Sequence, residues 1–283
     1  IARVTAKVAV GLTLDEIMLA NTPASFEPTL DYVVTKVARF PFDKFSDASN
    51  KLGTQMKATG EVMSIGRTME ESLLKAMRSL ETGVCHIYHK KFDDWTNDRL
   101  LEYIAEPTDD RLYAIAQLIR GGVDLVLIYN RTKIDMFFLE KFKNIVEFER
   151  VVEAAPMDIE VLREAKRMGF SDKFIGQLWG VSQHDMYLLR EKNGIFPVYK
   201  MIDTCASEFS SYVPYFYSTY EDENESLVSD KEKIVVLGSG PIRIGQGVEF
   251  DYSTVHAIWS IREAGYEAII INNNPETVST DYT

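Results

Sequence analysis

The chain has 283 residues, of which 46% are hydrophobic and 26% are charged, a composition typical of a globular protein with two or three units. No apolar run reaches the roughly 18 residues that a membrane-spanning helix needs, and a net charge of −12 opposes sequence-independent binding to nucleic acid phosphates. A membrane protein and a nucleic-acid-binding protein are therefore both disfavoured. The two cysteines, Cys85 and Cys205, form no CxxC motif, which favours packing roles in a reducing cytosol over a disulfide framework.

Residues 1–82 are predicted to mix strands with a helix. The segments DYVVTKVARFPF and GEVMSIG are short strand candidates, because they are rich in β-branched and aromatic residues and end at Pro41 and Gly66. Thr68 and Glu71 have the spacing of a capping box, which predicts the start of a helix. The apolar residues that follow fall on one stripe of this helix before Gly83: Leu73, Met77 and Leu80.

The apolar residues have a helical period from about residue 97 to 193. Thr108, Asp109 and Asp110 predict the start of one helix, which ends at the glycine pair 121–122. A long helix follows through FFLEKFKNIVEFERVVEAA, and three short ones follow through EVLREAKRMGF, SDKFIGQLWG and SQHDMYLLREKNG, each with a polar cap and a closing glycine. Short amphipathic helices without strands between them predict an all-α unit over about residues 83–200.

A strand, a helix and a second strand are predicted near the end of the chain. An aromatic segment and the acidic run EDENESLVSDKEK come first, and the acidic run predicts a surface linker. The strand Lys233–Leu237 then enters the glycine loop GSGPIRIGQG, and a helix closed by Gly265 leads to the strand AIII. This order is typical of the start of a doubly wound α/β unit. Because two parallel strands alone leave their faces and edges exposed, we expect the chain to be an excerpt of a longer polypeptide.

The glycine loop has two possible roles, a dinucleotide site or a scaffold. A dinucleotide site requires GxGxxG and an acidic residue at the end of the second strand. Here Gly238 and Gly240 are followed by Pro241, the next glycine is Gly245, and asparagines 272–274 stand where the acid is expected. These departures favour the scaffold. Two carboxylates beside the loop, Glu249 and Asp251, are either general acid or base groups or first-turn acids favoured by the helix dipole.

The segment FIGQLWGVSQHDMYLLREKNG has the outline of a helix-turn-helix. Its charges oppose DNA binding, because Lys173, Arg190 and Lys192 are balanced by an equal number of nearby carboxylates. The residues at the centre of the second helix are mostly apolar and are expected to pack in a core: Met186, Tyr187, Leu188 and Leu189. A freestanding helical interaction module or helix-turn-helix DNA-binding module remains the alternative function.

The segment CHIYHKK offers three side chains that zinc accepts, Cys85, His86 and His89. A fourth suitable ligand is not apparent nearby. We therefore expect a surface or capping role for these residues and predict no metal site.

Several segments resemble the large subunit of carbamoyl-phosphate synthase. The segment from VLGSGPIRIGQGVEFDYST to IIINNNPETVSTDY resembles the opening of its second synthetase half, while TPASFEPTLDYVVTKVARFPFDKF and GTQMKATGEVMSIGRT resemble the end of its first half. The segments PVYKMIDTCASEF and YSTYEDE resemble the join after its helical oligomerisation domain, and the helical middle is similar mainly in order and length.

The resemblance implies a multidomain α/β fold with an all-α middle. Residues 1–82 would be the C-terminal part of the first, carboxyphosphate ATP-grasp half. Residues 83–228 would be the helical oligomerisation domain with its connecting segment. Residues 229–283 would begin the Rossmann-like pre-ATP-grasp domain of the second, carbamoyl-phosphate half.

The implied activity is that of an ATP-dependent carbon–nitrogen ligase. The family makes carbamoyl phosphate from bicarbonate, ammonia and two ATP, for arginine or pyrimidine biosynthesis in the cytoplasm. A small glutamine amidotransferase subunit or domain supplies the ammonia, and an internal tunnel carries unstable intermediates between the two halves. The helical domain is expected to self-associate, and the excerpt alone is expected to be inactive.

The resemblance also implies site residues within this chain. In this family the glycine loop lines the tunnel and does not hold the nucleotide. The positions that match the tunnel wall are Gly247, Glu249 and Glu276, together with Met56, Thr59 and Glu61 from the first half. ATP and Mg²⁺ or Mn²⁺ would be bound by residues outside this stretch, so we expect no catalytic, cofactor-binding or metal-binding residue within it.

Overall fold

The computed structural model describes residues 2–19, 22–27, 29–42, 44–45, 47–57, 59–202, 215–238, 240–241, 243 and 248–272. The helices are α1 Ala2–Ala9, α2 Met69–Ser79, α3 Asn97–Tyr103, α4 Arg111–Arg120, α5 Leu125–Thr132, α6 Met136–Ala154, α7 Ile159–Arg167, α8 Asp172–Trp179, α9 Gln183–Lys192 and α10 Val248–Glu263. The strands are β1 Met18–Leu19, β2 Thr22–Pro23, β3 Val33–Arg39, β4 Gly60–Gly66, β5 Val198–Met201, β6 Phe216–Thr219, β7 Lys233–Leu237 and β8 Glu267–Ile271. A 3₁₀ turn spans Lys90–Phe92.

The first unit is an antiparallel pair of strands, β3 and β4, covered on one face by α2. The register pairs Val33 with Gly66, and both strands confirm the sequence prediction. Alternate β4 residues face the helix, so the hydroxyl of Ser64 donates to the carbonyl oxygen of Ser72 at 2.6 Å. The hydroxyl of Thr35 also contacts that of Ser72, so the buried polar groups of this interface are paired.

The predicted capping box of α2 is confirmed, with one difference in its second bond. The Thr68 hydroxyl accepts a hydrogen bond from the backbone N–H of Glu71 at 3.2 Å. The Glu71 carboxylate accepts from the backbone N–H of Arg67, one residue before the cap, at 2.7 Å. The predicted apolar stripe is buried, since Leu73, Met77 and Leu80 all belong to the core.

The all-α unit is confirmed between residues 97 and 192, where α3 to α9 follow one another without an intervening strand. Its predicted end near residue 200 overlaps β5, which begins at Val198. Helices α3 and α5 were not singled out from the sequence, although Thr96 and Asp124 cap them as the residue types predict. The largest fully buried side chains of this unit include Phe92, Ile128 and Phe170.

One hydrophobic cluster continues from Val62 in β4 to Ile195 after α9. Helix α2 therefore shares a core with the all-α unit as well as with the strands. Gly169 lies close to α2, because a Cβ atom at this residue would lie 2.9 Å from the Cα of Glu71. The guanidinium of Arg78 also donates to the Gly169 carbonyl oxygen at 2.6 Å. The predicted division between residues 82 and 83 stays a prediction, and the core is continuous across it.

Strands β5 and β6 form an antiparallel pair that the sequence did not predict. Strand β6 returns to the first unit, where the ring of Tyr217 lies 5.9 Å from that of Tyr32. The ammonium of Lys75 donates both to the carbonyl oxygen of Ile65 on β4, at 2.8 Å, and to that of Ser218 on β6. Lys75 thereby joins the strand that precedes the helical unit to the strand that follows it.

The acidic linker after β6 lies on the surface, as predicted. Its side chains bond the outer edge of β5, because Asn224 accepts from the backbone N–H of Tyr199 at 2.9 Å and Glu225 from that of Met201 at 2.7 Å. Strands β7 and β8 are parallel, with Lys233 paired to Glu267, and α10 connects them and ends before Gly265. This confirms the predicted strand, helix and strand. None of the described helices combines the length and apolar character that crossing a membrane would require.

We expect Gly169→Ala to destabilise the chain much more than Gly194→Ala. Both glycines have a positive φ, +90° and +64°, so each alanine costs about 1 kcal/mol from backbone strain. Only at residue 169 would the new methyl group meet the backbone of α2, which adds roughly 1–3 kcal/mol of overpacking. Urea denaturation of the two variants measures the difference, and equal losses would contradict the close packing of α2 on the helical unit.

Candidate tunnel wall

The three tunnel-wall positions predicted in the first unit lie at or just before β4. Met56 is 97% exposed and Thr59 is also exposed. Glu61 lies on the face of β4 opposite α2, where its carboxylate is 3.0 Å from the ammonium of Lys36. The structure thus places the three residues within one short stretch of the chain and leaves Met56 and Thr59 accessible.

The other three predicted wall positions are mostly outside the described part of the structure. Gly247 and Glu276 are not among the described residues. Glu249 lies in the first turn of α10, and its side chain, like that of Asp251, is not described. Their assignment to a tunnel stays a prediction, as does the choice between a chemical and a dipole role for the two carboxylates.

In the described part of the glycine loop, the local backbone geometry and packing favour glycine at residues 238 and 240. The backbone N–H of Gly238 donates to the carbonyl oxygen of Ile271 at 2.7 Å, which extends the pairing of β7 with β8. A Cβ atom on Gly238 would lie 2.8 Å from the side chain of Asn272, and Gly240 has a φ of +81°. Asn272 stands where a dinucleotide site would need an acidic residue. Its side chain packs beside Gly238 of the loop. These contacts are consistent with a scaffold role.

His86 belongs to a buried polar cluster, and the predicted surface or capping role is wrong for this residue. Its ring stacks on Phe174 with centroids 3.7 Å apart. Its Nε2 atom is 2.9 Å from Glu149, which as a carboxylate accepts the N–H. Glu149 also accepts two hydrogen bonds from the guanidinium of Arg120, both at 2.7 Å. Since Glu149 is 63 residues away along the chain, no local pattern indicates this partner.

The neighbouring residues of the CHIYHKK segment have other roles. His89 does cap, because its Nδ1 accepts from the backbone N–H of Lys91 at 3.0 Å at the start of the 3₁₀ turn. Cys85 is half-buried and packs against the core. In the described ranges, no group of three His, Cys, Asp or Glu side chains could hold a metal ion.

The ionisation of this cluster follows from burial. Burial lowers the pKa of His86 below its ordinary 6.5, although the hydrogen bond to Glu149 opposes the shift. The Nδ1 atom of His86 is buried without a hydrogen-bond partner among the described residues, so a proton there would have no acceptor. For Glu149, burial favours the neutral acid, but the hydrogen bonds from Arg120 and His86 outweigh it and hold the pKa below the ordinary 4.5. The cluster is therefore a neutral imidazole beside an ion pair.

Helices α8 and α9 meet at Gly180 as a helix-turn-helix would, but the charges of α9 are engaged within the unit. The guanidinium of Arg190 bonds both carboxylate oxygens of Asp172, at 2.7 Å and 2.9 Å, and the carbonyl oxygen of Ile195 at 3.0 Å. Asp172 also pairs with Lys166 at 2.9 Å. Arg190 is buried, so it is not available as a surface cation.

The predicted burial of the apolar residues of α9 is right for only part of the helix. Met186 is fully buried, and Leu189 packs on the core. Tyr187 and Leu188 are instead exposed, at 45% and 44%. The prediction was wrong for these two because α9 packs mainly on α8, and none of the described residues covers its outer face.

A larger group of exposed apolar side chains lies on α5 and the start of α6. These residues, which we call the α5–α6 face, are between 38% and 55% exposed: Val126, Leu127, Tyr129, Phe137 and Phe138. Each of the two helices also holds a fully buried residue in the core, Ile128 and Leu139. The face is therefore the outer side of helices that are firmly packed on their inner side.

Two family models match the chain. The carbamoyl-phosphate synthetase large chain, oligomerisation domain, matches residues 61–194, and the carbamoyl phosphate synthase preATP-grasp domain matches residues 230–283. Both belong to the same large chain, and together they span about two thirds of the sequence.

The chain belongs to the carbamoyl-phosphate synthase large-chain family.

Membership of the carbamoyl-phosphate synthase family confirms the resemblance and the fold class, an α/β protein of several domains with a helical middle. The family consists of ligases. The oligomerisation domain contains α2 to α9 and hence the α5–α6 face, and it begins within β4. The preATP-grasp domain contains β7, α10 and β8, with the glycine loop between the first two.

We expect the stability of the chain to fall as the pH is lowered from about 7.5 to about 5.5. Unfolded histidine gains its proton near pH 6.5, whereas folded His86 does so only at lower pH, so the unfolded state binds more protons in this window. The loss is at most about 1.4 kcal/mol per pH unit. Glu149 stays ionised throughout the window, because its pKa lies below 4.5.

Urea denaturation of the wild type and of His86→Gln at the two pH values measures this contribution. The variant should be less stable overall but should lose less stability on acidification. His184→Gln is the matched control, because His184 is exposed, and it should behave like the wild type. An unchanged pH dependence in His86→Gln would contradict the neutral buried imidazole.

Proposed function

We propose that this chain is the central part of a glutamine-dependent carbamoyl-phosphate synthase large subunit. The observation that carries the proposal is the presence, in one chain, of an oligomerisation domain followed by a preATP-grasp domain of the same enzyme. The complete enzyme makes carbamoyl phosphate in the cytoplasm from bicarbonate, ammonia and two ATP. The ammonia comes from glutamine through an amidotransferase subunit or domain. This central part is inactive alone and supplies self-association and part of the tunnel wall.

The proposed reaction has three steps. The first ATP phosphorylates bicarbonate to carboxyphosphate, and ammonia then displaces phosphate to give carbamate. The second ATP phosphorylates carbamate to carbamoyl phosphate. Carboxyphosphate and carbamate both decompose in water, so a closed passage between the two halves is needed.

The proposed tunnel wall uses two kinds of residue. Gly247 keeps the bore open because it has no side chain. The carboxylates of Glu249 and Glu276 accept hydrogen bonds from the NH₂ group of carbamate and orient it while water is excluded. Met56, Thr59 and Glu61 belong to the wall on the side of the first half. The 97% exposure of Met56 supports this, because an apolar side chain so exposed is available to be covered by another part of the synthase.

The proposal assigns ATP and Mg²⁺ or Mn²⁺ to residues outside this chain. Metal-bound ATP requires several carboxylate or amide oxygens in one place. The described residues offer no such cluster and do not fit this group. The glycine loop does not fit a nucleotide phosphate well either, because Pro241 lacks an N–H and Asn272 fills the space beside Gly238.

We expect Gly247→Phe in the complete synthase to abolish glutamine-dependent synthesis of carbamoyl phosphate while bicarbonate-dependent ATP hydrolysis continues. A phenyl ring at this position would obstruct the passage without touching the first phosphorylation site. The two rates are measured separately, as carbamoyl phosphate formed and ADP released. Glu263→Phe, at the exposed C-terminal end of α10, is the control and should leave both rates unchanged. If overall synthesis survives Gly247→Phe, the tunnel assignment is wrong.

A further inference from the structure

An ion pair joins the glycine loop to the end of α2. The guanidinium of Arg243, the sixth residue of the loop, donates a hydrogen bond to the carboxylate of Glu81. The two residues are 162 positions apart, so only the folded chain brings them together. Glu81 lies in the matched oligomerisation domain and Arg243 in the matched preATP-grasp domain. The pair therefore connects the two domains.

Glu81 lies in a turn that is fixed to the core on both sides. Leu80, directly before it, is buried, and Val84, shortly after it, packs against the same hydrophobic cluster. The backbone of Glu81 has a φ of +52°, in the left-handed region that residues other than glycine rarely adopt. Such a conformation persists only where the surrounding structure determines it. The carboxylate is therefore presented from a defined position after α2.

The glycine loop is also held on the side that leads to Arg243. Gly240 and Pro241 are buried, whereas most residues of the preceding strand β7 are exposed. Only four residues along the chain separate Arg243 from Gly247, so their Cα atoms lie within about 14 Å of each other. The ion pair thus holds the loop at a point close to a residue that we propose for the tunnel wall.

The pair is suited to positioning more than to stability. The side chains of Arg243 and Glu81 are 36% and 46% exposed, and ion pairs this accessible add little to the free energy of unfolding. A charge-assisted hydrogen bond nevertheless fixes the separation and direction of its two groups. In a passage for a small reactive molecule, a small displacement of a wall residue changes the outcome strongly, because the reaction depends on closure and alignment.

We propose that Arg243 is a positioning residue for the passage of carbamate. Its ion pair with Glu81 holds the glycine loop against the end of α2 and keeps this part of the wall closed to water. Carbamate that meets water decomposes to bicarbonate and ammonia, so a displaced loop wastes the first ATP. The inference rests on the proposed function and adds the pair of residues that sets the position of the wall.

Charge reversal in the complete synthase tests this inference, and the measured quantity is the ADP released per carbamoyl phosphate formed. Arg243→Glu sets two carboxylates against each other and should raise this ratio about threefold or more, while bicarbonate-dependent ATP hydrolysis continues. Arg243→Gln removes only the charge and should give a smaller rise. Lys231→Glu is the matched control at an exposed residue just before β7, and it should leave the ratio unchanged.

Exchanging the two charges tests whether the residues act as a pair. Glu81→Arg alone should raise the ratio, and combining it with Arg243→Glu should return the ratio to within about twofold of the wild type. Circular dichroism and cooperative thermal unfolding verify that the variants are folded. Should Arg243→Glu fail to fold, the comparison of Arg243→Gln with the wild type decides.

Four results would overturn the inference: an unchanged ratio in the folded Arg243 variants, no recovery in the double variant, an equal rise in Lys231→Glu, or two rates that fall together at a constant ratio. The last result would show that the pair has a structural role only. A wild-type synthase that forms no carbamoyl phosphate would instead overturn the proposed function. The tunnel assignment is tested separately by Gly247→Phe.

Discussion

The burial of α2 on two sides is the constraint on which the described fold depends. One side of this helix covers β3 and β4, and other residues of the same helix enter the core of the helical unit. Glu71 lies where these contacts converge, because its carboxylate bonds the start of its own helix while its backbone is in contact with Gly169. Strands β3 and β4 and the helical unit therefore share one core through α2. This explains why the oligomerisation domain begins in β4, before α2.

Local patterns predicted most of the elements, because local physics determines them. The capping box at Thr68, the strand alternation and the glycines that end the short helices are properties of a few neighbouring residues. Strands β5 and β6 were not found, since their pairing depends on segments that are distant in sequence, and β6 is held by Lys75 of α2. Whether Leu188 is buried likewise depends on what lies over α9, and its sequence cannot show that the outer face is uncovered.

The candidate sites differ in what sequence could show. The sequence alone showed that the glycines of the loop do not have the GxGxxG spacing of a dinucleotide site. The structure adds that Asn272 packs beside Gly238. The role of His86 was not visible, because its partners Glu149 and Arg120 come from α6 and α4 and only the folded core unites them. The α5–α6 face could not be identified either, since its residues have the same types as core residues. Exposure alone distinguishes them, and exposure is a property of the assembled fold.

The bonds of Lys75 to Ile65 and Ser218 have a mechanical consequence. The chain enters the helical unit after β4 and returns along β6, and the ammonium group of Lys75 is hydrogen-bonded to both strands. The strands that lead into and out of the helical unit are thus joined at one side chain. Because both connections of the helical unit meet at this ammonium, a displacement of the unit would move β4 and β6 together.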